Sequence, residues 1–340
     1  MSANRRLLLR RRPEDRVSLD DFTVDEAPVP EPGEGEAVLR TIYLSLDPTN
    51  RVWMAADSYL PAVKEGAVMR GLGLAQVVAS RDERYQVGDL AVGAPGWQEY
   101  STSAEAEMPW NVLPRGTGLP PTMMLGALGM TGLTAYWGIV DVCAPKEGET
   151  VVVIAGAGGV GSLAVQLARR WGAGRVIATA SSPEKRALAE ELGAHATVDP
   201  ALATDDPKTF TGALREANGG KPVDVVLEMT GGHVFTGSLS ALAPFGRLVT
   251  YGMAARQETP PVPPGALMQK SRAVIGFWLA HCMARPQMMD AAMHDLLPMV
   301  AEGALKPVVG GRYPMSAVRE AHQDLLARRT TGKLVLDPSR

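Results

Sequence analysis

The sequence predicts an α/β protein in which a β-rich domain of barrel type accompanies a doubly wound parallel sheet. Three observations carry this. Residues 1–125 fall into short β-like runs separated by turn chemistry. Residues 126–305 alternate strand-like with helix-like segments, the pattern of a parallel sheet covered on both faces. Within that half, the β-branched run Val151-Val152-Val153-Ile154 ends in Gly156-Ala157-Gly158-Gly159-Val160-Gly161 and passes straight into helical spacing.

The chain opens with Arg5-Arg6-Leu7-Leu8-Leu9-Arg10-Arg11-Arg12. Its apolar centre is too short for a signal peptide, and acids follow at once (Glu14, Asp15, Asp20, Asp21), so it reads as a first strand with charged flanks. Strands are predicted over 37–46, 75–80, 89–92 and 98–103, with turns at Pro32-Gly33, Val87-Gly88-Asp89 and Ala94-Pro95-Gly96. The stretch 116–140 is uncharged and long enough to raise the question of a membrane span. Pro120, Pro121 and glycines 126, 129, 132 and 138 break it, which favours a buried connection between domains. Helices follow at 183–192, 207–217, 232–241 and 287–302, and strands at 196–198, 223–228, 247–251 and 273–279. The tail, 306–340, returns to mixed structure with a final strand at 333–337 that packs back on the first domain.

The glycines have a chemical reason. Gly156 and Gly158 let the backbone turn tightly and approach a pyrophosphate, while Gly161 lets the helix lie close to the strand. Gly159 and Val160 open that helix, whose N–H groups and positive dipole suit phosphate. A lone glycine motif is weak, but this one sits between a strand and a helix of a βαβ unit. An NAD site wants an Asp or Glu at the end of the second strand, for the ribose 2′-hydroxyl. Here that end reads Thr179-Ala180-Ser181-Ser182, then Lys185 and Arg186. Hydroxyls and a cation suit a 2′-phosphate, so the expected cofactor is NADPH.

With 340 residues, 46% hydrophobic and 21% charged, the chain has room for about two domains. A net charge of −3 and a pI near 6.0 offer no basic field for nucleic acid or anionic lipid. Two cysteines, Cys143 and Cys282, far apart and without metal spacing, fit a reducing cytoplasm.

Several blocks in order now form a pattern: Tyr43-Leu44-Ser45-Leu46-Asp47-Pro48, Ser58-Tyr59-Leu60-Pro61, Val68-Met69-Arg70-Gly71, Pro95-Gly96-Trp97, Gly129-Met130-Thr131-Gly132-Leu133-Thr134-Ala135-Tyr136 and Phe245-Gly246-Arg247. Over nearly its full length the chain resembles the medium-chain dehydrogenase/reductase superfamily, and within it the zinc-free prostaglandin reductase and curcumin reductase group. The ending Arg328-Arg329-Thr330-Thr331-Gly332-Lys333 is similar to quinone oxidoreductases. The resemblance implies a GroES-like catalytic domain (1–125 and 306–340), a Rossmann domain (126–305), a cleft between them, and a homodimer formed through the outer Rossmann strand, 272–279. It also implies NADPH-dependent reduction of an activated C=C bond, with quinone reduction or NADPH binding without catalysis as alternatives.

Superfamily members that use zinc hold it with Cys and His. The five histidines here (195, 233, 281, 294, 322) have no Cys partner at ligand spacing, and His281 beside Cys282 would point to the opposite face of a strand. Relatives usually carry Tyr two residues after the Asp of the Leu-Asp-Pro block, and many carry another after the glycine matching Gly252. This chain has Thr49 then Asn50, and Ala254-Ala255-Arg256-Gln257. Tyr59 is the remaining phenol for the substrate carbonyl, or else an aromatic covering the barrel edge, with Thr49 and Asn50 as smaller donors. Met130, Thr134, Thr230, Gly252, Phe277 and Trp278 are expected beside the cofactor in the crevice at the strand C-termini. Ser181, Lys185 and Arg328 are expected at its 2′-phosphate.

Overall fold

The computed structural model describes residues 3–14, 16–58, 60–116, 118–204, 206–254 and 257–340. The chain divides into two compact units, one formed by Met1–Gly126 with Val309–Arg340 and the other by Ala127–Val308.

The first unit begins with β1 (Ala3–Leu9) paired antiparallel to β2 (Phe22–Pro28). The N-terminal arginines meet carboxylates: Arg5 lies 2.6 Å from Glu99, Arg11 lies 2.9 Å from Asp21, and Arg6 pairs with Asp25. Three of the five arginines in this basic-looking run are thereby paired with carboxylates. Next come β3 (Ala37–Leu46), α1 (Pro48–Ala55), β4 (Gly73–Ser80), β5 (Leu90–Gly93), β6 (Tyr100–Thr102) and β7 (Asn111–Val112). Residues 47–50 are the start of α1: Asp47 is extended and Pro48 opens the helix, where a proline's missing N–H costs nothing.

The second unit opens with α2 (Met130–Trp137), which runs into a π-helical turn, Gly138–Cys143. The uncharged stretch is thus partly a buried helix, because Gly132 packs on its own N-terminal loop. A Cβ there would lie 1.7 Å from the Ala127 carbonyl. A repeating strand–helix series follows: β8 (Thr150–Val153), α3 (Gly159–Arg170), β9 (Arg175–Thr179), α4 (Pro183–Glu191), β10 (Ala196–Val198), α5 (Pro207–Ala217), β11 (Val223–Glu228) and α6 (Gly232–Ala241). It closes with β12 (Leu242–Thr250), α7 (Pro264–Met268), β13 (Ala273–Gly276), α8 (Leu279–Met283) and α9 (Pro286–Ala301). Among the described residues the six strands are parallel, in the order β10-β9-β8-β11-β12-β13. This is the doubly wound order, with its reversal between β8 and β11. Val151, Val152 and Val153 are wholly buried, as two covered faces require.

Two strand boundaries of the parallel sheet differ from expectation by three residues or more. β12 starts at Leu242 because a bulge before Arg247, with Phe245 at φ 65°, lets the pairing resume. β13 stops at Gly276, and Trp278 caps the short helix α8, so His281 and Cys282 lie on a helix rather than a strand.

The tail completes the first unit with β14 (Val309–Pro314), α10 (Val318–Leu326) and β15 (Lys333–Asp337). β15 joins β3, giving a mixed sheet ordered β14-β15-β3-β4-β5-β7, with β6 on β3. Both cysteines are free and buried; burial pushes the Cys143 thiol up to about 12 and raises that of Cys282. Among the described residues no helix is long and apolar enough to cross a membrane.

Candidate functional site

The glycine loop is anchored from behind by β9. The Ala155 N–H donates to Thr179 Oγ1 at 3.0 Å, and the Gly156 N–H donates to the Thr179 carbonyl at 2.8 Å. Ala155 itself takes φ 58°, a left-handed conformation that a residue with a Cβ adopts only when held there. A Cβ on Gly156 would meet the Ala178 Cβ at 2.6 Å, and one on Gly161 would meet the Ala155 carbonyl at 2.1 Å. α3 begins after Gly158 with no side-chain cap, so the N–H groups of its first turn are presented from bare backbone. This is the cradle a pyrophosphate requires, and the residues present fit a dinucleotide.

At the end of β9, Ser181 is half-buried and Ser182 caps α4, its Oγ accepting from the Lys185 N–H at 3.3 Å. Lys185 is half-buried in the first turn of α4. Arg186 is engaged elsewhere, donating to the Ala180 carbonyl and to Asp199, each at 3.1 Å. The basic pair thus separates into a residue beside the strand end and a residue that braces the next loop.

The other strand ends line the same edge of the sheet. After β11, the Thr230 and Gly231 N–H groups both donate to Glu228 Oε1, at 2.6 and 2.9 Å. After β12, Gly252 lies against Met229; a Cβ there would approach the Met229 carbonyl to 3.2 Å. The Phe277 N–H donates to the Thr250 carbonyl at 2.9 Å, and Trp278 is 44% exposed. On α2, Thr134 Oγ1 bonds back to the Met130 carbonyl at 2.7 Å, and both residues are half-buried.

Glu228 went unnoticed in the sequence. It closes the apolar strand β11, is wholly buried, and desolvation pushes its carboxyl up to about 7 despite the two N–H donors. Its Oε2 has no hydrogen-bond partner among the described residues. The available signal was a carboxylate at a strand C-terminus next to Gly231-Gly232.

In the first unit, Thr49 is half-buried in the opening turn of α1. Asn50 is 1% exposed, and its Oδ1 accepts the Asp47 N–H at 2.8 Å, a capping task the sequence reading did not assign. The Asp47 carboxylate takes the Lys333 ammonium at 2.5 Å and the Ser45 hydroxyl. Tyr59 lies outside the described residues. Arg70 donates to the Pro61 carbonyl at 2.8 Å, pairs with Glu107 and sits 5.7 Å from the Trp53 ring. Arg328 belongs to this unit too, exposed after α10 at φ 56°.

Three of the five histidines serve the fold. His195 Nδ1 accepts the Val176 N–H at 2.8 Å, His233 Nδ1 faces the Ala203 and Thr204 carbonyls, and buried His322 packs against Trp97, its imidazole lowered to about 4 by desolvation. Among the described residues no group of three or more His, Cys, Asp or Glu side chains is placed to hold a metal ion.

Comparison with known proteins agrees with this arrangement. A family described as the N-terminal domain of oxidoreductase matches residues 5–110, and one described as zinc-binding dehydrogenase matches 159–297. The chain is 38% identical to the NADPH-dependent curcumin reductase of Escherichia coli (strain K12), covering 77% of this chain and 74% of that one. It is 32% identical to prostaglandin reductase 1 of Bos taurus, covering 84% of each. The crystal structure of CurA from Vibrio vulnificus in complex with NADPH superposes with a TM-score of 0.86 at 28% identity, over 98% of both chains.

Proposed function

We propose that this chain, which belongs to the zinc-free curcumin reductase and prostaglandin reductase group of the medium-chain dehydrogenase/reductase superfamily, reduces the activated C=C bond of α,β-unsaturated carbonyl compounds with NADPH. The observation that carries the reading is the 156–161 cradle set beside a strand end, 179–182, that holds hydroxyls and no acid. Loop and helix N-terminus would hold the pyrophosphate, and Ser181 and Lys185 would hold the 2′-phosphate.

NADPH, when bound, supplies the hydride that adds to the substrate β-carbon. The chain's own part is to orient the alkene and to stabilise the negative charge that then gathers on the carbonyl oxygen as an enolate. A hydroxyl from Thr49 or Tyr59 donates to that oxygen, and Tyr59 or water returns a proton to the α-carbon. An enone needs less electrophilic help than a simple ketone, because its charge is delocalised from the outset. That is consistent with a donor set of hydroxyls. Met130, Thr134, Thr230, Gly252, Phe277 and Trp278 shape the nicotinamide side of the sheet edge.

The same reading makes the protein a homodimer. β13 ends the six-stranded sheet with Ala273, Val274 and Ile275, and pairing with its two-fold mate would cover that edge. Two unpaired buried cysteines suit a reducing, cytoplasmic setting.

The deciding experiment follows NADPH oxidation by nicotinamide absorbance with enones, enals, enoyl thioesters and quinones. Turnover of enones or enals to saturated carbonyls is expected. Turnover of quinones alone would move the assignment to quinone reduction, and cofactor binding without turnover of any member would remove the catalytic reading.

A further inference from the structure

We infer that Glu228 is a positioning residue that holds the loop 229–232 in its cofactor-receiving shape, and that the protonation state of Glu228 sets how firmly it does so. The inference rests on the NADPH reading above and deepens it.

The loop is short and heavily constrained. Gly231 and Gly232 take φ of 81° and 56°, so the backbone turns twice through the left-handed region before α6. The same Glu228 oxygen receives both N–H groups that precede the second of these glycines. Three further bonds hold the surroundings in register: Tyr251 N–H to the Glu228 carbonyl at 3.0 Å, Ala254 N–H to the Met229 carbonyl at 2.8 Å, and Gly232 N–H to Thr259 Oγ1 at 2.8 Å. Glu228 is the only side chain that accepts from both Thr230 and Gly231 among these bonds, so the loop's central peptide units depend on it.

A carboxylate accepts such bonds about twice as strongly as a neutral carbonyl-type oxygen. Protonation weakens the grip on both N–H groups and leaves an O–H donor on a buried atom, Oε2, that has no partner among the described residues. The environment brings the switch into the physiological range, since desolvation places the carboxyl near 7. The ionisable groups facing it are Tyr251, just after β12, and, behind that, Cys143 on the π-helical turn, and both stay neutral there because burial raises them; the charged side chain of β12, Arg247, is paired with Glu149. β8 and β13 bring no charged side chain, and α6 brings only His233, which is turned to the Ala203 and Thr204 carbonyls. A cofactor that needs the ordered loop therefore binds more tightly to the ionised protein, and by linkage its binding favours ionisation.

The test measures NADPH affinity by nicotinamide fluorescence at pH 6, 7 and 8 for wild type and Glu228→Gln, with NADH as a control that lacks the titrating 2′-phosphate. Wild type is expected to gain three- to tenfold in affinity between pH 6 and 8 beyond any change seen in Glu228→Gln, for both cofactors. In wild type the backbone 15N–1H signals of Thr230 and Gly231 should titrate with one midpoint near 7, and addition of NADPH should move that midpoint down. This second measurement needs no variant. Parallel pH profiles for the two proteins, or Thr230 and Gly231 signals that do not titrate between pH 6 and 8, would overturn the inference while leaving the NADPH reading intact. Absence of NADPH binding at every pH would overturn both.

Discussion

The Lys333 ammonium lies 2.5 Å from the Asp47 carboxylate, with both side chains nine-tenths buried and 286 positions apart in sequence. Asp47 also receives the Ser45 hydroxyl and starts α1, so the pair ties the last strand to the helix that carries Thr49. Removing one member leaves a buried charge alone. Lys333→Met should therefore cost about 3–5 kcal/mol of unfolding free energy in urea melts, and Asp47→Asn added to it should recover most of the loss. A double variant no more stable than Lys333→Met would show that the coupling is absent.

Glu228 makes stability depend on pH in a definite direction. Its folded-state carboxyl titrates near 7 against 4.5 in the unfolded chain, so the folded protein binds the extra proton between those values. Stability should fall as pH rises from about 4.5 to about 7, by about 3 kcal/mol from this group at pH 8. Glu228→Gln should flatten that segment of the curve and be the more stable protein at pH 8. Equal slopes in urea melts at pH 5 and pH 8 would contradict this.

The choice of cofactor is testable at Lys185. One charge-assisted phosphate contact is worth roughly 1.5–3 kcal/mol, so Lys185→Ala should weaken NADPH about ten- to a hundredfold and hardly change NADH. Equal affinity of the wild type for the two cofactors would remove the basis for the prediction.

Proton and hydrogen-bond donors can be separated by mutation. Tyr59→Phe should lower turnover of an enone ten- to a thousandfold, as an order of magnitude, with NADPH affinity unchanged if its phenol serves the enolate. If Thr49→Val is the inactive variant instead, the donor role belongs to α1. Full turnover in both would assign protonation to water or the cofactor ribose.

Chelation should leave turnover intact, and elemental analysis should find no stoichiometric zinc. His195, His233 and His322 are turned to main-chain and aromatic neighbours, and among the described residues no group of three or more His, Cys, Asp or Glu side chains is placed to hold a metal ion. Activity lost to a chelator and restored by zinc would refute it.

The parts of the site that depend on local chain geometry were legible in the sequence. Gly156 and Gly161 announce themselves because no side chain fits against Ala178 or the Ala155 carbonyl, and Val151-Val152-Val153 because a strand covered on both faces cannot carry charge. What depends on partners distant in sequence was not. Nothing near Lys333 indicates that its charge is matched by Asp47, and nothing near Asn50 separates a helix cap from a substrate donor. Glu228 looked like an ordinary strand end, since its significance comes from wholesale burial contributed by neighbouring strands. The short β13 misled for a related reason: Phe277 and Trp278 continue an apolar run, yet Phe277 is the last residue held by β12, and the chain then coils into α8.

Enones and enals are soft electrophiles, and the usual casualty of such compounds is a cysteine thiolate. An enzyme that meets them at every turnover risks being alkylated by its own substrate. This chain has only two thiols, and the fold buries both and holds them protonated, Cys143 most firmly. The packing that keeps these sulfurs from solvent thus also lowers the supply of thiolate that would attack an electrophilic alkene.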